Sequence, residues 1–285
     1  MENLVISGGG IYGYYGFGII KYLEEKNYLR SINKFYGTSI GSFICLLVLL
    51  GYNSLELERT LINYDISKTI DIDILNLFNN YGISNSIKFK KFISIFIKIK
   101  AKESDITFRR LYEIYNKEIN VIATNLKSSS EFIFNYKNTP DILIVDAITA
   151  SCSVPFIFEP VKIEGVLYVD GLLCNNFPCN LVENKDKTIG VMMGDNPLTE
   201  KKIDNIYDYI YRIFQTIIIK SYNDVEILIK YEDEINIDLD PSFNISYENK
   251  VKLIEYGYNN SKNVIKKYEE KKQLEKIELE KKKQE

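Results

Sequence analysis

The residues best placed to do chemistry lie in the stretch 35–52, FYGTSIGSFICLLVLLGY, where Gly37, Ser39 and Gly41 spell G-x-S-x-G between a strand-like run and an apolar run that reads as a buried helix. That context suits a nucleophile elbow, a tight strand-to-helix turn that presents a serine hydroxyl. Glycines two positions to either side remove side chains that would collide with the neighbouring backbone. The hydroxyl then stands at a helix N-terminus, where the dipole and free N–H groups favour developing negative charge. Glycine and serine are also common in turns, so the pattern alone fits an ordinary turn equally well.

The 285 residues contain no histidine. This excludes a Ser-His-Asp arrangement, in which an imidazole takes the serine proton near neutral pH. A nucleophilic Ser39 must therefore work with a carboxylate, a lysine or a water held by one of them. Within 147–178, AITASCSVPFIFEPVKIEGVLYVDGLLCNNFP, a helix of small residues over 147–153 precedes a loop pinned by Pro155 and Pro160. A strand over 166–169 then ends at Asp170-Gly171. Asp-Gly is often only a turn former, yet beside a histidine-free G-x-S-x-G, Asp170 is the leading candidate base.

Of the elements that must position this pair, a first strand over 4–7 leads into Gly8-Gly9-Gly10-Ile11-Tyr12-Gly13 and then an amphipathic helix, YYGFGIIKYLEEKN. Residues without Cβ let several backbone N–H groups converge, so this loop can cradle a phosphate or an oxyanion. It lacks the G-K-[ST] ending of a P-loop and departs from G-x-G-x-x-G.

Taken in order, the three blocks resemble the patatin-like phospholipase family. Its pattern is a G-G-G-x-[KR]-G oxyanion loop after the first strand, a G-x-S-x-G elbow and a D-G-[GA] turn, with a Ser-Asp dyad and no histidine. Weaker echoes are Thr107-Phe108 with Leu111, 121–125, Ala150-Ser151 with Val154-Pro155, and Asn176 with Pro178. The resemblance covers roughly 4–195; Tyr12 replaces the usual cation and Leu172 the usual small residue. It implies an α/β three-layer fold, with a central, mostly parallel sheet flanked by helices. It also implies a lipid acyl hydrolase of phospholipase A or lysophospholipase type. Ser39 would be the nucleophile and Asp170 the general base. Gly8, Gly9, Gly10, Gly13 and Ile40 would form the oxyanion hole, and Gly37, Gly41 and Gly171 would shape the turns. Two other readings stay open: a catalytically silent lipid-binding protein, and an acyltransferase using the same pair with an alcohol acceptor.

Composition is consistent with a globular enzyme. Hydrophobic residues make up 46%, enough for a substantial core, and a net charge of −3 gives no electrostatic basis for nucleic-acid binding. The expected domain runs over 1–260, with a charged helix or tail over 261–285. No signal peptide or transmembrane run is evident: the apolar run 43–50 is far short of the about 20 residues a bilayer requires. Cys45, Cys152, Cys174 and Cys179 show no zinc or disulfide spacing. The expectation is therefore a cytoplasmic, at most membrane-peripheral protein without metal or cofactor, acting on a phospholipid or related ester.

Within 87–102, Phe89, Phe92, Ile93, Phe96 and Ile97 share one helical face opposite Lys91, Lys98 and Lys102. Such a helix either docks on an anionic membrane or packs into the core, and core packing is the preferred reading. Towards the C-terminus, 187–193 reads as a strand, 203–230 has helical spacing with Tyr207, Ile210, Tyr211, Phe214 and Ile217 in a stripe, and 235–239 alternates like an exposed strand. Asp238 and Asp240 read as solvated residues, not ligands.

Overall fold

The structure, a computed structural model, describes residues 1–194, 225–232 and 245–284, together with the isolated positions 203, 209, 212, 213 and 216. The strands are β1 (Asn3–Ile6), β2 (Lys34–Thr38), β3 (Gly82–Ser84), β4 (Glu118–Asn125), β5 (Ser130–Phe134), β6 (Phe156–Phe158), β7 (Val161–Ile163), β8 (Val166–Asp170), β9 (Thr188–Met192) and β10 (Ile227–Lys230). The helices are α1 (Gly13–Glu25), α2 (Ile40–Leu49), α3 (Ser54–Leu61), α4 (Ile74–Asn80), α5 (Ile87–Ala101), α6 (Phe108–Tyr115), α7 (Ile144–Ser151), α8 (Leu172–Asn175) and a long C-terminal helix, here α9 (Tyr247–Gln284).

Among the described residues the main sheet has the order β10-β9-β1-β2-β4-β8-β7, with β5 paired to β4 outside that path. The pairs from β10 through β4 are parallel, whereas β8, β7 and β5 join antiparallel. The mostly parallel α/β sheet expected from the sequence is therefore present, with an antiparallel edge. Alternation along the central strands sorts the two faces. Leu4, Ile6 and Phe35 enter the large helical core, while Val5 and Tyr36 meet a smaller cluster with Phe177, Cys179 and Val182.

The register of β4 brings two chain segments together. On one edge β4 pairs with β2 from Glu118 to Ile122, where Thr38 is opposite Ile122. The opposite edge carries β5, since Val121 and Ile122 also face Phe134 and Ile133. Ala123 likewise pairs with both Phe132 and Asp170, so β8 continues the edge that β2 leaves. The carboxyl ends of β2 and β8 thus meet head to head, Thr38 beside Asp170.

Helix α2 is apolar all round because all of 41–49 is buried, as a central helix requires. Helix α5 settles the two readings of 87–102. Phe89, Phe92, Ile93, Phe96 and Ile97 are buried, and Phe92 and Phe96 pack on Phe43 of α2 at centroid distances of 5.7 and 5.5 Å. That apolar face belongs to the core and is not available to a membrane.

Helix α9 crosses α1 at very short range. A Cβ on Gly18 would lie 2.0 Å from the Ile254 carbonyl oxygen, and one on Gly257 would lie 2.1 Å from that of Tyr15. Glycine on both helices permits this approach. Around it Tyr15 packs on Tyr256 and Tyr22 on Tyr258. Lys250 of α9 is buried, its ammonium donating to the carbonyls of Ile62 and Tyr64 at 3.1 and 2.7 Å. The helix runs unbroken through 260–261, and its burial ends near Tyr268; 269–283 is exposed.

Three sequence expectations change. The loop expected between Pro155 and Pro160 contains β6, which pairs with β3. The helix expected over 147–153 starts earlier, at Ile144, because Ile144 and Val145 are fully buried. The helical spacing over 203–230 does not extend to its end: Ile227 and Ile229 alternate inward on β10, which extends β9 in parallel. The stripe from Tyr207 to Ile217, the strand over 235–239, Asp238 and Asp240 lie outside the described residues. No helix among the described residues is long and apolar enough to cross a membrane.

Candidate active site

Ser39 sits between β2 and α2 with φ 53° and ψ −133°, a backbone conformation that a residue with a side chain adopts only under constraint. Four hydrogen bonds supply that constraint. The Ser39 N–H donates to Ser151 Oγ at 2.8 Å, and Ser151 Oγ–H donates in turn to the Ile122 carbonyl at 2.5 Å. The Ser39 carbonyl accepts from the N–H of Ser42 at 2.8 Å and from its hydroxyl at 2.6 Å. The turn closes so tightly that a Cβ at Gly41 would lie 2.4 Å from the carbonyls of both Ile6 and Ser7.

Ser39 Oγ donates to Asp170 Oδ2 at 2.6 Å, so the head-to-head strand ends deliver the two side chains predicted from sequence into direct contact. Asp170 is fully buried. Its Oδ1 accepts the Leu172 N–H at 2.9 Å, its carbonyl accepts from Thr124 Oγ1 at 2.8 Å, and its N–H donates to the Ser153 carbonyl at 2.9 Å. Burial pushes the Asp170 carboxyl up to about 7, against the opposing pull of the Ser39 hydroxyl and the Leu172 N–H. A carboxyl that loses its proton near neutrality is a far better base for a hydroxyl than one near the ordinary value of about 4.

Cys152 also faces the cavity beside Ser39. Its burial, reinforced by the nearby Asp170 charge, raises the thiol well above its usual range. The sulfur stays protonated and is no rival nucleophile at neutral pH.

The glycine loop divides into donors and packing positions. The Gly8 N–H is used by the Asn176 carbonyl at 3.2 Å, and the Gly13 N–H turns back to the carbonyls of Gly10 and Ile11. These two glycines therefore do not supply free donors, which departs from the set inferred by resemblance. Gly8 instead lets the loop lie against the elbow, since a Cβ there would be 3.1 Å from Ser39 Cβ. None of the turn, loop or cap bonds of the described residues uses the N–H of Gly9, Gly10 or Ile40. Of these three residues, Gly10 and Ile40 line the cavity beside Ser39.

Both departures from the family pattern fit the fold. Tyr12 is buried with its ring 4.9 Å from that of Tyr231, filling the core where a cation would be desolvated. Leu172 begins α8 and is absent from the positive-φ residues, so its side chain meets no backbone penalty.

Above Ser39 opens a cavity of about 160 Å³. Gly10 and Ile40 stand on one side, and Phe17, Phe43, Ile70, Phe89 and Phe158 form apolar walls. A hydroxyl against a buried carboxylate, open N–H donors and an apolar slot can bind an acyl chain and attack its carbonyl. Among the described residues no group of acidic, cysteine or histidine side chains is arranged to hold a metal ion.

A strand-to-helix serine elbow facing a carboxylate on a mostly parallel α/β sheet defines a histidine-free serine-elbow protein. More particularly, residues 4–182 match the family model described as patatin-like phospholipase, and the chain belongs to that family. An uncharacterized protein of Acanthamoeba polyphaga mimivirus is 31% identical over 93% of this chain and 94% of its own. A probable lipid hydrolase of Invertebrate iridescent virus 6 is 34% identical over 63% of this chain and 62% of its own. VipD from Legionella pneumophila shares the fold at 14% identity, with a TM-score of 0.70 over 94% of this chain and 67% of that one.

Sequence reading missed Ser151 as a support for Ser39. The signal available was its place in a run of small residues, ASCS, which says that space is tight without saying which hydroxyl is used.

Proposed function

We propose that the protein is a lipid acyl hydrolase of phospholipase A or lysophospholipase type, using Ser39 and Asp170 as a catalytic dyad. The observation that carries this reading is the 2.6 Å hydrogen bond between Ser39 Oγ and Asp170 Oδ2 at the base of an apolar cavity. The similarity to a probable lipid hydrolase supports it. Ser39 Oγ attacks the ester carbonyl as its proton passes to Asp170. The oxyanion is received by the N–H groups of Gly9, Gly10 and Ile40, donors of a kind worth several kcal/mol when aimed at developing charge. Collapse expels the alcohol, which takes the proton from Asp170 and leaves an acyl ester on Ser39. Asp170 then draws a proton from water as the water oxygen attacks the acyl group; collapse breaks the bond to Ser39 Oγ, which takes the proton back from Asp170, and the fatty acid leaves. The chain's own groups supply every proton transfer in this cycle.

The experiment is fatty-acid release from mixed phospholipid vesicles by the wild type, Ser39→Ala and Asp170→Ala. Release by the wild type, falling to background in both folded variants, is the expected result. A folded wild type no faster than Ser39→Ala across varied head groups overturns the reading.

A further inference from the structure

The segments that wall the cavity have a second side. Ile70 and Phe158 line the cavity from within. The same two stretches continue outward into Ile72, Ile74, Leu75, Phe78, Tyr81 and Phe156, all between 54% and 78% exposed. They form one unit. The Asp73 N–H donates to the Ile83 carbonyl at 2.7 Å and Asn76 Nδ2 to the Gly82 carbonyl at 2.8 Å, locking α4 onto β3. Gly82 in turn pairs with Phe156 across the β3–β6 ladder, which sets Tyr81 beside Phe156.

Contiguous exposed apolar residues of this size mark a contact surface. Two of them also sit on costly backbone: Tyr81 and Phe156 both have φ 70°, unusual for bulky side chains, and neither ring is buried in return. The rim is close to neutral. Lys88 is ion-paired with Asp71, Lys68 and Asp73 add one charge of each sign, and Glu159, which accepts from Asn76 Nδ2 of α4 at 2.6 Å, leaves a single net negative charge. A polyelectrolyte has nothing to bind there, whereas an uncharged apolar surface with tyrosine at its margin suits a lipid interface.

We propose that α4, with Ile72, Tyr81 and Phe156, is the surface by which the protein rests on a lipid bilayer or monolayer. This rests on reading the cavity as an acyl site. The commitment to lipid comes from continuity: the patch is the outer side of the cavity wall, so docking sets that wall against the phase in which a lipid ester resides. An acyl chain then passes from lipid to Ser39 without crossing open water. Insertion, not charge, drives the contact, so it holds on zwitterionic lipid and at high salt. The surface adjoins the start of α5 through the Lys88–Asp71 pair but is distinct from the α5 side that carries Lys91 and Lys98.

The chain has no tryptophan, so Phe78→Trp in a Ser39→Ala background provides a single reporter. With phosphatidylcholine vesicles, its emission is expected to shift to the blue and to be quenched by brominated acyl chains, at low and high salt alike. Leu279→Trp, at the exposed end of α9, is expected to stay unchanged. Leu75→Asp with Phe78→Asp, in the otherwise native chain, is expected to hydrolyse a short, water-soluble ester as the wild type does and to act at least about tenfold more slowly on vesicles. No shift at Phe78, equal shifts at both reporters, or unchanged vesicle hydrolysis overturns the proposal. So does a patch variant that turns a dimer into a monomer without altering vesicle binding, which would assign the face to a second copy. If the wild type hydrolyses neither ester the proposed activity fails, while the fluorescence readings still decide the docking surface on their own.

Discussion

Replacing Asp170 by asparagine interrogates the buried carboxyl through folding, independently of turnover. The carboxyl has an ordinary value of 3.8 and is raised to about 7 in the folded chain, chiefly by burial. A raised acid contributes stability that is complete below 3.8, is lost as pH climbs towards 7, and stays lost above it. At about 1.4 kcal/mol per pH unit, that interval corresponds to about 4 kcal/mol. Asparagine keeps the shape and carries no charge. Its Oδ1 can still accept the Leu172 N–H, and its amide can donate to Ser39 Oγ, whose hydroxyl is free to rotate. Urea denaturation of both proteins from pH 4 to pH 8 is the assay. The variant is expected to match the wild type at the acid end and to exceed it by roughly 3–4 kcal/mol at pH 8, while losing activity throughout. In the wild type, kcat/KM is expected to rise with pH through a limb near 7. A stability difference that does not vary with pH, or an activity limb near 4, would refute the assignment of a raised carboxyl.

Gly41→Ala places a Cβ 2.4 Å from two carbonyl oxygens, so the elbow must open; thermal melting is expected to show a loss of roughly 3 kcal/mol together with loss of activity. Ser151→Ala strands the buried Ser39 N–H and Ile122 carbonyl; kcat is expected to fall about tenfold with KM little changed, and Ser151→Thr to recover most of it. Lys250→Met removes the donor to Ile62 and Tyr64 and is expected to cost about 2 kcal/mol in urea unfolding. Gly257→Val drives a side chain into the Tyr15 carbonyl, and circular dichroism should show a lowered melting temperature.

The elements around the elbow were legible because their signals are local. Glycine spacing around Ser39 announces a strand-to-helix turn, and the 3.6-residue period of Phe89, Phe92, Phe96 and Ile97 announces a core-facing helix. What stayed hidden depends on partners remote in sequence. Asp170 could be nominated by its strand-end turn, but its contact with Ser39 follows from the register in which β2 and β8 share one edge of β4. Its shifted ionisation comes from burial, a property of the assembled core and not of VDG. The Gly8 and Gly13 N–H groups look like donors on a glycine loop until their carbonyl partners are known. The strand over 227–230 is hidden in the sequence because VEILIK offers apolar residues at either the helical or the strand period. Its place beside β9 is a choice made by the sheet.

The crossing of α1 and α9 also bears on the order in which the molecule can come into being. Tyr15 and Tyr22, which flank the crossing, find Tyr256 and Tyr258 only after synthesis has passed residue 258. Until then the helix that follows the glycine loop has an uncovered aromatic side, and contacts so distant in sequence form slowly. A ribosome that stops before Tyr256 releases every residue of the candidate site, from Gly9 to Asp170, with its supporting helix unpartnered. Such a fragment is expected to need a chaperone and to yield no partial enzyme.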